Sequence, residues 1–182
     1  MSTTTVYAIQ DNGDIREVGH SRVAPAGAFI IWEEVERVTG MSLRRDEDAF
    51  WKLYNSGRLE PGLNALLGFT YDHAWVSTAN IEALIALLRD FHQRVVVPRG
   101  IAPTLLNISN ILDTLPLGGV RGVCFQQTSV SENPWWVYEQ GEDEGEEKDD
   151  GEGEDVEEDE GRPYNFDRDT RHFEVTFPPA PA

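Results

Sequence analysis

The sequence predicts an α+β fold: a single domain in which a mostly antiparallel sheet, built from N- and C-terminal strands, packs against about five central helices. Three observations lead to this prediction. Short segments near both ends of the chain have the apolar pattern of strands, whereas the middle carries apolar residues at helical spacing. The chain has 182 residues, 40% of them apolar, which is enough to form one core.

The N-terminal element is predicted to be a β-hairpin. Residues 6–10 and 15–18 are strand-like, and the turn sequence DNGD separates them. Residues 19–25 are expected to form a loop, with Pro25 close to the start of the first helix.

Five helices are predicted in the middle of the chain. The clearest has Thr78 as its expected N-cap and ends at Pro98 and Gly100. Its continuous apolar stripe consists of Ile81, Leu84, Ile85, Leu88, Phe91 and Val95. The other four helices are predicted at residues 26–38, 46–56, 61–67 and 103–114.

The remaining strands are predicted at residues 69–76, 120–129, 135–139 and 171–177. The sequence SENP at 131–134 is typical of a turn, so residues 120–129 and 135–139 are expected to form a second hairpin. In the last strand, Phe173, Val175 and Phe177 would share one face. The Pro-rich end of the chain is expected to be extended and loose.

The negative charge of the chain is concentrated in one segment. The formal net charge is −18, and residues 141–161 contain fourteen Asp or Glu and one Lys, which is −13 of that total. We therefore expect a globular part (1–140), a disordered acidic loop (141–161), and a return segment (162–182) whose final strand rejoins the domain. Closing such a loop costs little, because the closure entropy grows only logarithmically with length.

The acidic segment has three possible roles. It could be a solvated spacer, an electrostatic arm that speeds association with a basic partner, or a weak site for divalent cations. A cation site is the weakest of the three, since the acidic residues lack the fixed register of a calcium loop. We predict no metal and no cofactor.

The composition also predicts a cellular location. The first residues lack a basic region followed by an apolar stretch, so we expect no signal peptide. No apolar run is long enough for a transmembrane helix, and the lone cysteine, Cys124, fits a reducing compartment. These observations predict a cytoplasmic protein that does not bind membranes.

Catalytic motifs such as G-x-S-x-G, H-E-x-x-H and the P-loop are missing from the sequence, so an enzyme is the less favoured interpretation. The weak catalytic candidates are His20 and Ser21 in the predicted loop, together with His73. Arg22 and Asp72 are possible companions. A solvated surface histidine at 20 and a partly buried structural histidine at 73 explain both positions more simply.

Partner binding is predicted at the tryptophan pair and in the acidic segment. Trp135 and Trp136 would face opposite ways on a strand, so that one fills the core and the other, near Tyr138, could anchor a partner. The acidic candidates for partner binding are Glu142, Asp143, Glu144, Glu157, Glu158, Asp159 and Glu160.

The favoured hypothesis is a non-enzymatic acidic binding protein that occupies a basic surface on a partner protein. Immunity proteins, anti-defence inhibitors and nucleic-acid mimics act in this way, and the expected partner is a nuclease or a nucleic-acid-binding complex. Direct nucleic-acid binding is not expected, because acidic residues interrupt the basic patch at Arg44 and Arg45. The alternatives are an enzyme with an unfamiliar site near His20 and a structural or assembly subunit that uses the strand at 135–136.

Overall fold

The computed structural model describes residues 3–43, 47–127, 133–137 and 161–178. The strands are β1 (Thr4–Gln10), β2 (Ile15–Ser21), β3 (Ala74–Ser77), β4 (Val120–Gln126), β5 (Trp136–Val137), β6 (Arg162–Pro163) and β7 (Phe173–Glu174). The helices are α1 (Gly27–Thr39), α2 (Glu47–Tyr54), α3 (Pro61–Phe69), α4 (Ile81–Phe91) and α5 (Thr104–Asp113).

The predicted fold class is confirmed. Five strands form one sheet in the order β2-β1-β4-β3-β7, and β5 and β6 form a separate two-stranded pair. The contacts of β1 with β2 and of β4 with β1 and β3 are antiparallel, whereas β7 lies parallel to β3 at the edge. Strands from both ends of the chain therefore meet in one mostly antiparallel sheet.

The main core lies between the helices and one face of this sheet. Alternate residues of the central strands, among them Val6, Val123 and Phe125, point into it and are fully buried. The apolar stripe of α4 is buried against the same core, as its 3.6-residue period predicts.

The helix that begins as α4 continues past Phe91. A π-helical segment (His92–Val96) and a last α-helical turn (Val97–Arg99) follow, and Gly100 ends the helix with a left-handed backbone. The predicted end at Pro98 and Gly100 is confirmed, because glycine adopts this conformation without a steric penalty.

Two predictions between α3 and α4 are wrong. The strand predicted at 69–76 begins only at Ala74, because the apolar run before it continues α3 to Phe69, and the Thr70 hydroxyl donates to the carbonyl of Leu67. Thr78 is not a side-chain N-cap. Its hydroxyl instead lies 2.6 and 2.9 Å from the carbonyl oxygens of Arg121 and Val120, so a tertiary partner replaces the local one.

The second predicted hairpin is also wrong. β5 does not pair with β4, because β4 lies between β1 and β3 and both of its edges are occupied. The partner of β5 is β6, in the register Trp136↔Pro163 and Val137↔Arg162.

The close packing of β4 against β3 at Gly122 can be tested by substitution. A Cβ atom on Gly122 would collide with the carbonyl oxygen of Val76 and the ring of Trp75, whereas one on Gly118 would meet nothing within 4 Å. We expect Gly122→Ala to lower the free energy of unfolding by about 1–3 kcal/mol, the usual cost of overpacking. Urea unfolding measures it, with Gly118→Ala as the control; equal effects of the two substitutions would contradict this packing.

Candidate functional site

The face of the sheet opposite the helices is covered by the segments on either side of residues 138–160. Residues 133–137 and 161–172, which we call the anchor layer, pack on a second and smaller core. That core consists of Ile9, Cys124, Trp135, Tyr164 and Phe166, all buried. The acidic segment therefore leaves and re-enters the fold through this layer.

Trp135 fixes the first half of the anchor layer to the sheet. Its indole N–H donates to the carbonyl oxygen of Phe125 in β4 at 2.9 Å, and its ring packs edge-to-face on Tyr164, with ring centroids 5.3 Å apart. Trp135 is 2% exposed, so its apolar ring is removed from water, and its N–H still has a hydrogen-bond acceptor in the core.

The pairing of β5 with β6 holds the chain before residue 138 and the chain after residue 161 side by side. The amide of Tyr164 extends this pairing by donating to the carbonyl oxygen of Trp135 at 3.1 Å. Paired strands lie about 4.8 Å apart, so Val137 and Arg162 are neighbours although 24 residues separate them. Glycine is required at position 161, where the second half of the anchor layer begins, because a Cβ there would collide with the indole of Trp136.

Asp169 stabilises the second half of the anchor layer. Its two carboxylate oxygens accept hydrogen bonds from Arg162 at 2.9 and 2.8 Å, and one of them also accepts the backbone N–H of Asn165 at 2.8 Å. These donors hold the pKa of the Asp169 carboxyl at about 2, with the hydrogen bond from Arg162 as the main cause.

The anchor layer also contacts the N-terminal hairpin and β4. The amide of Phe166 donates to the carbonyl oxygen of Gly13 at 2.8 Å, and Arg121 of β4 forms an ion pair with Asp167. The same guanidinium lies over the Phe166 ring, 5.3 Å from its centroid. The contacts join parts of the chain that are up to 153 residues apart.

His172 and Tyr164 form a hydrogen-bonded pair within the layer. The Tyr164 hydroxyl lies 2.8 Å from the carbonyl oxygen of Asp169 and 2.9 Å from Nδ1 of His172, whose ring stacks on Phe166 at 3.7 Å. Burial lowers the pKa of His172 and raises that of Tyr164 to about 12. A neutral His172 that donates from Nδ1 to the hydroxyl, which in turn donates to Asp169, satisfies all three groups.

The structure places the catalytic candidates at 20 and 21 on a strand, which corrects the predicted loop. β2 continues to Ser21 because the pairing with β1 extends to Thr4↔Ser21. His20 is exposed and its Nδ1 lies 2.9 Å from Glu17. Ser21 is buried and accepts a hydrogen bond from Asn107 at 3.3 Å.

Asp72 and His73 directly precede β3, which is separated from β2 by two strands of the sheet. The buried Asp72 carboxylate accepts the backbone N–H of Gln127 at 2.7 Å, and the His73 ring lies beside those of Tyr71 and Trp135. Since β1 and β4 stand between β2 and β3, the structure does not bring these two residues together with His20 or Arg22.

The partner-binding candidates separate into three groups. Trp135 is buried, whereas Trp136 is half-buried at the base of the acidic segment. Tyr138 and the seven acidic candidates lie outside the described residues, as does the basic pair at 44–45.

A cleft of about 550 Å³ opens on the opposite side of the molecule, between α1, α3 and α4. Its charged residues are Glu34, Arg37, Glu60, Asp90 and Arg94. None of the catalytic or partner-binding candidates in the described part of the chain lines it. No sequence pattern predicts this cleft, because its walls come from three helices that are separate in the sequence.

Three further findings limit the chemistry of the described residues. They contain no group of three or more His, Cys, Asp or Glu placed to hold a metal ion. No helix among residues 3–43, 47–127, 133–137 and 161–178 has the length and apolarity to cross a membrane. Burial raises the pKa of the Cys124 thiol well above its ordinary value, which disfavours the reactive thiolate.

Comparison of the chain with models of known protein families, with characterised proteins and with solved structures finds no match.

The Asp169 contacts predict a pH-dependent contribution to stability. The carboxyl has a folded-state pKa of about 2 against an ordinary value of 3.8, so it stabilises the fold above pH 3.8 and ceases to do so as the pH falls through 2. At neutral pH, Asp169→Asn should lower the free energy of unfolding by about 1–3 kcal/mol. Urea unfolding at several pH values should show this gap closing between the two pKa values.

Asp167→Asn is the matched control, because Asp167 forms a half-exposed ion pair and should contribute under about 1 kcal/mol. A gap for Asp169→Asn that stays constant down to pH 2 would contradict the assignment.

The two tryptophans should differ in their effect on stability. Trp135→Phe removes the hydrogen bond to the Phe125 carbonyl and part of a buried ring, and we expect a loss of about 1–3 kcal/mol. Trp136→Phe should cost under about 0.5 kcal/mol, as surface substitutions usually do. Thermal or urea unfolding measures the loss of stability in both variants. A larger loss for Trp136→Phe than for Trp135→Phe would contradict the roles assigned to the two residues.

Proposed function

We propose that this protein is a non-enzymatic acidic binding protein, and that its acidic segment (141–161) acts as an arm that occupies a basic surface on a partner protein. The observation that carries the proposal is the antiparallel pairing of β5 with β6, which brackets the arm. An arm held at both ends keeps its charge at one place on the domain surface.

The distribution of charge supports an arm better than a whole acidic surface. Residues 141–161 carry −13, and the rest of the chain carries only −5. Concentrated charge of this kind raises the rate of association with a cationic surface more than it raises affinity. It also presents a run of negative charge to a surface that would otherwise contact phosphates.

Trp136 is the apolar part of the proposed binding surface. It is half-buried at the point where the arm begins, and aromatic residues at such positions often dominate binding energy. Trp135 is buried and hydrogen-bonded, so it serves the fold and is not available for binding or for assembly of copies.

The proposed partner is a nuclease or a nucleic-acid-binding complex, which makes the protein an inhibitor of the immunity, anti-defence or nucleic-acid-mimic type. A cytoplasmic location is part of this proposal, since the one cysteine is a buried free thiol. The chemistry that the proposal requires is an exposed surface rich in Lys and Arg on the partner.

The proposal is tested with two variants that each remove three negative charges. One carries Glu142→Gln, Asp143→Asn and Glu144→Gln in the arm, and the other carries Asp48→Asn, Glu82→Gln and Glu174→Gln, which are exposed on the body. Association with immobilised poly-lysine and with a panel of basic nucleases is measured over a series of salt concentrations.

We expect the arm variant to associate at least about threefold more slowly at low salt and to show a flatter salt dependence, because steering charge is lost. The body variant should stay close to the unmodified protein. Equal rates for the two variants, or no association of the unmodified protein with any basic probe, would contradict the proposal.

A further inference from the structure

We propose that the cleft between α1, α3 and α4 is a docking site for a basic amphipathic segment of a protein partner. One cationic side chain would lie between Glu60 and Asp90, and its apolar neighbours would lie on the floor of the cleft. This inference rests on the proposed function, because it supplies a second contact for the same class of basic partner.

The floor of the cleft is apolar and accessible. It is formed by Leu63, Leu66, Leu87, Phe91 and Val95, of which Leu63, Leu87 and Val95 are half-buried. The cleft volume of about 550 Å³ lies within the range of roughly 300–1,000 Å³ that is typical of binding sites. A floor of this kind stabilises a ligand by removing apolar surface from water.

The rim adds an exposed apolar side chain. Val38, in the last turn of α1, lines the cleft and is 47% exposed. Val97, in the last turn of the helix that begins as α4, is similarly exposed at 53% but does not line the cleft. The two valines therefore form a matched pair, one inside the proposed site and one outside it.

The charges around the cleft favour a cation. Three carboxylates, Glu34, Glu60 and Asp90, and two guanidinium groups line the cleft, and a third guanidinium, that of Arg99, lies 4.0 Å from Glu34 just outside the lining. Glu34 is therefore the carboxylate that these cations compensate most fully, and a ligand cation would use Glu60 and Asp90. A carboxylate beside the low-dielectric walls of a cleft attracts a cation more strongly than one in open solvent does.

Glu34 is already committed to the fold. It is 8% exposed, and both of its carboxylate oxygens accept hydrogen bonds from Arg37, at 2.6 and 2.8 Å. These hydrogen bonds lower the pKa of the Glu34 carboxyl. Arg37 is neutralised by the same contact, so this pair leaves little charge for a ligand.

Glu60 and Asp90 retain capacity for a ligand. Arg94 contacts Asp90 through Oδ2, at 2.7 and 2.6 Å, and Oδ1 accepts no hydrogen bond within the described part of the chain. The exposed Glu60 carboxylate accepts only the amides of Gly62 and Leu63 there, each at 3.2 Å. Both carboxylates can therefore accept hydrogen bonds from an ammonium or guanidinium group.

The backbone of the cleft wall is unusual at the same place. Arg94 and Val95 belong to the π-helical segment (His92–Val96), and π-helical segments in proteins occur frequently at functional sites. This observation is independent of charge and apolar lining, and it points to the same cleft.

The test uses a synthetic helical peptide of Leu and Lys, with a peptide of Leu and Glu of equal length as the anionic control. Binding to the full chain is measured by calorimetry and by the methyl NMR shifts of Leu63, Leu87 and Val95. The variants are Val38→Lys, which places a cation at the mouth of the cleft, and Val97→Lys, which makes the same change outside it.

We expect the Leu/Lys peptide to shift the cleft methyl signals saturably. Val38→Lys should weaken its binding about tenfold or more through like-charge repulsion, and Val97→Lys less than about twofold. Equal effects of the two variants, or equal binding of the Leu/Glu peptide, would overturn the proposal. Unfolding curves of both variants establish that the folds are intact.

The arm variant with Glu142→Gln, Asp143→Asn and Glu144→Gln separates the two proposals. If it weakens binding of the Leu/Lys peptide while Val38→Lys does not, the cleft proposal is overturned and the arm proposal stands. If Val38→Lys weakens binding and the arm variant does not, the cleft proposal is supported and the arm proposal loses its support.

Discussion

The fold depends on covering the second face of the sheet. Helices bury one face of the sheet. Because successive side chains of a strand point to opposite faces, Ile9, Cys124 and Trp75 point to the second face and need a cover of their own. The anchor layer supplies this cover through the hydrogen bond and ring contacts of Trp135 and through the aromatic rings of Tyr164 and Phe166. Without it, a large apolar face would be exposed to water, which folded monomers rarely tolerate.

The positions of the two flanks of the acidic segment follow from this cover. The two halves of the anchor layer must lie side by side to bury the same small core, and the chain between them is the acidic segment. The layer itself is held by compensated charges, Arg162 with Asp169 and Arg121 with Asp167. These paired charges cancel within the layer, whereas residues 141–161 carry −13 of the net charge of −18.

Local patterns predicted much of the fold. The hairpin of β1 and β2, the stripe of α4 and the alternation of Phe173 and Val175 all follow from residue spacing, because each element buries one face. The pairing of β5 with β6 was not predictable, since strands of two residues show no periodicity. Thr78 was misassigned because its hydroxyl finds a partner more than 40 residues away. Of the candidate site, the sequence predicted that one tryptophan of the pair is buried, but not which one, and it did not predict the cleft.

The two flanks of the acidic segment are held together by the pairing of β5 with β6. Nuclear Overhauser contacts in the full chain test this most directly. This pairing predicts contacts between the rings of Trp135 and Tyr164 and between the backbones of Val137 and Arg162, together with slow hydrogen exchange of the Tyr164 amide. The absence of these contacts, with an unprotected Tyr164 amide, would contradict it.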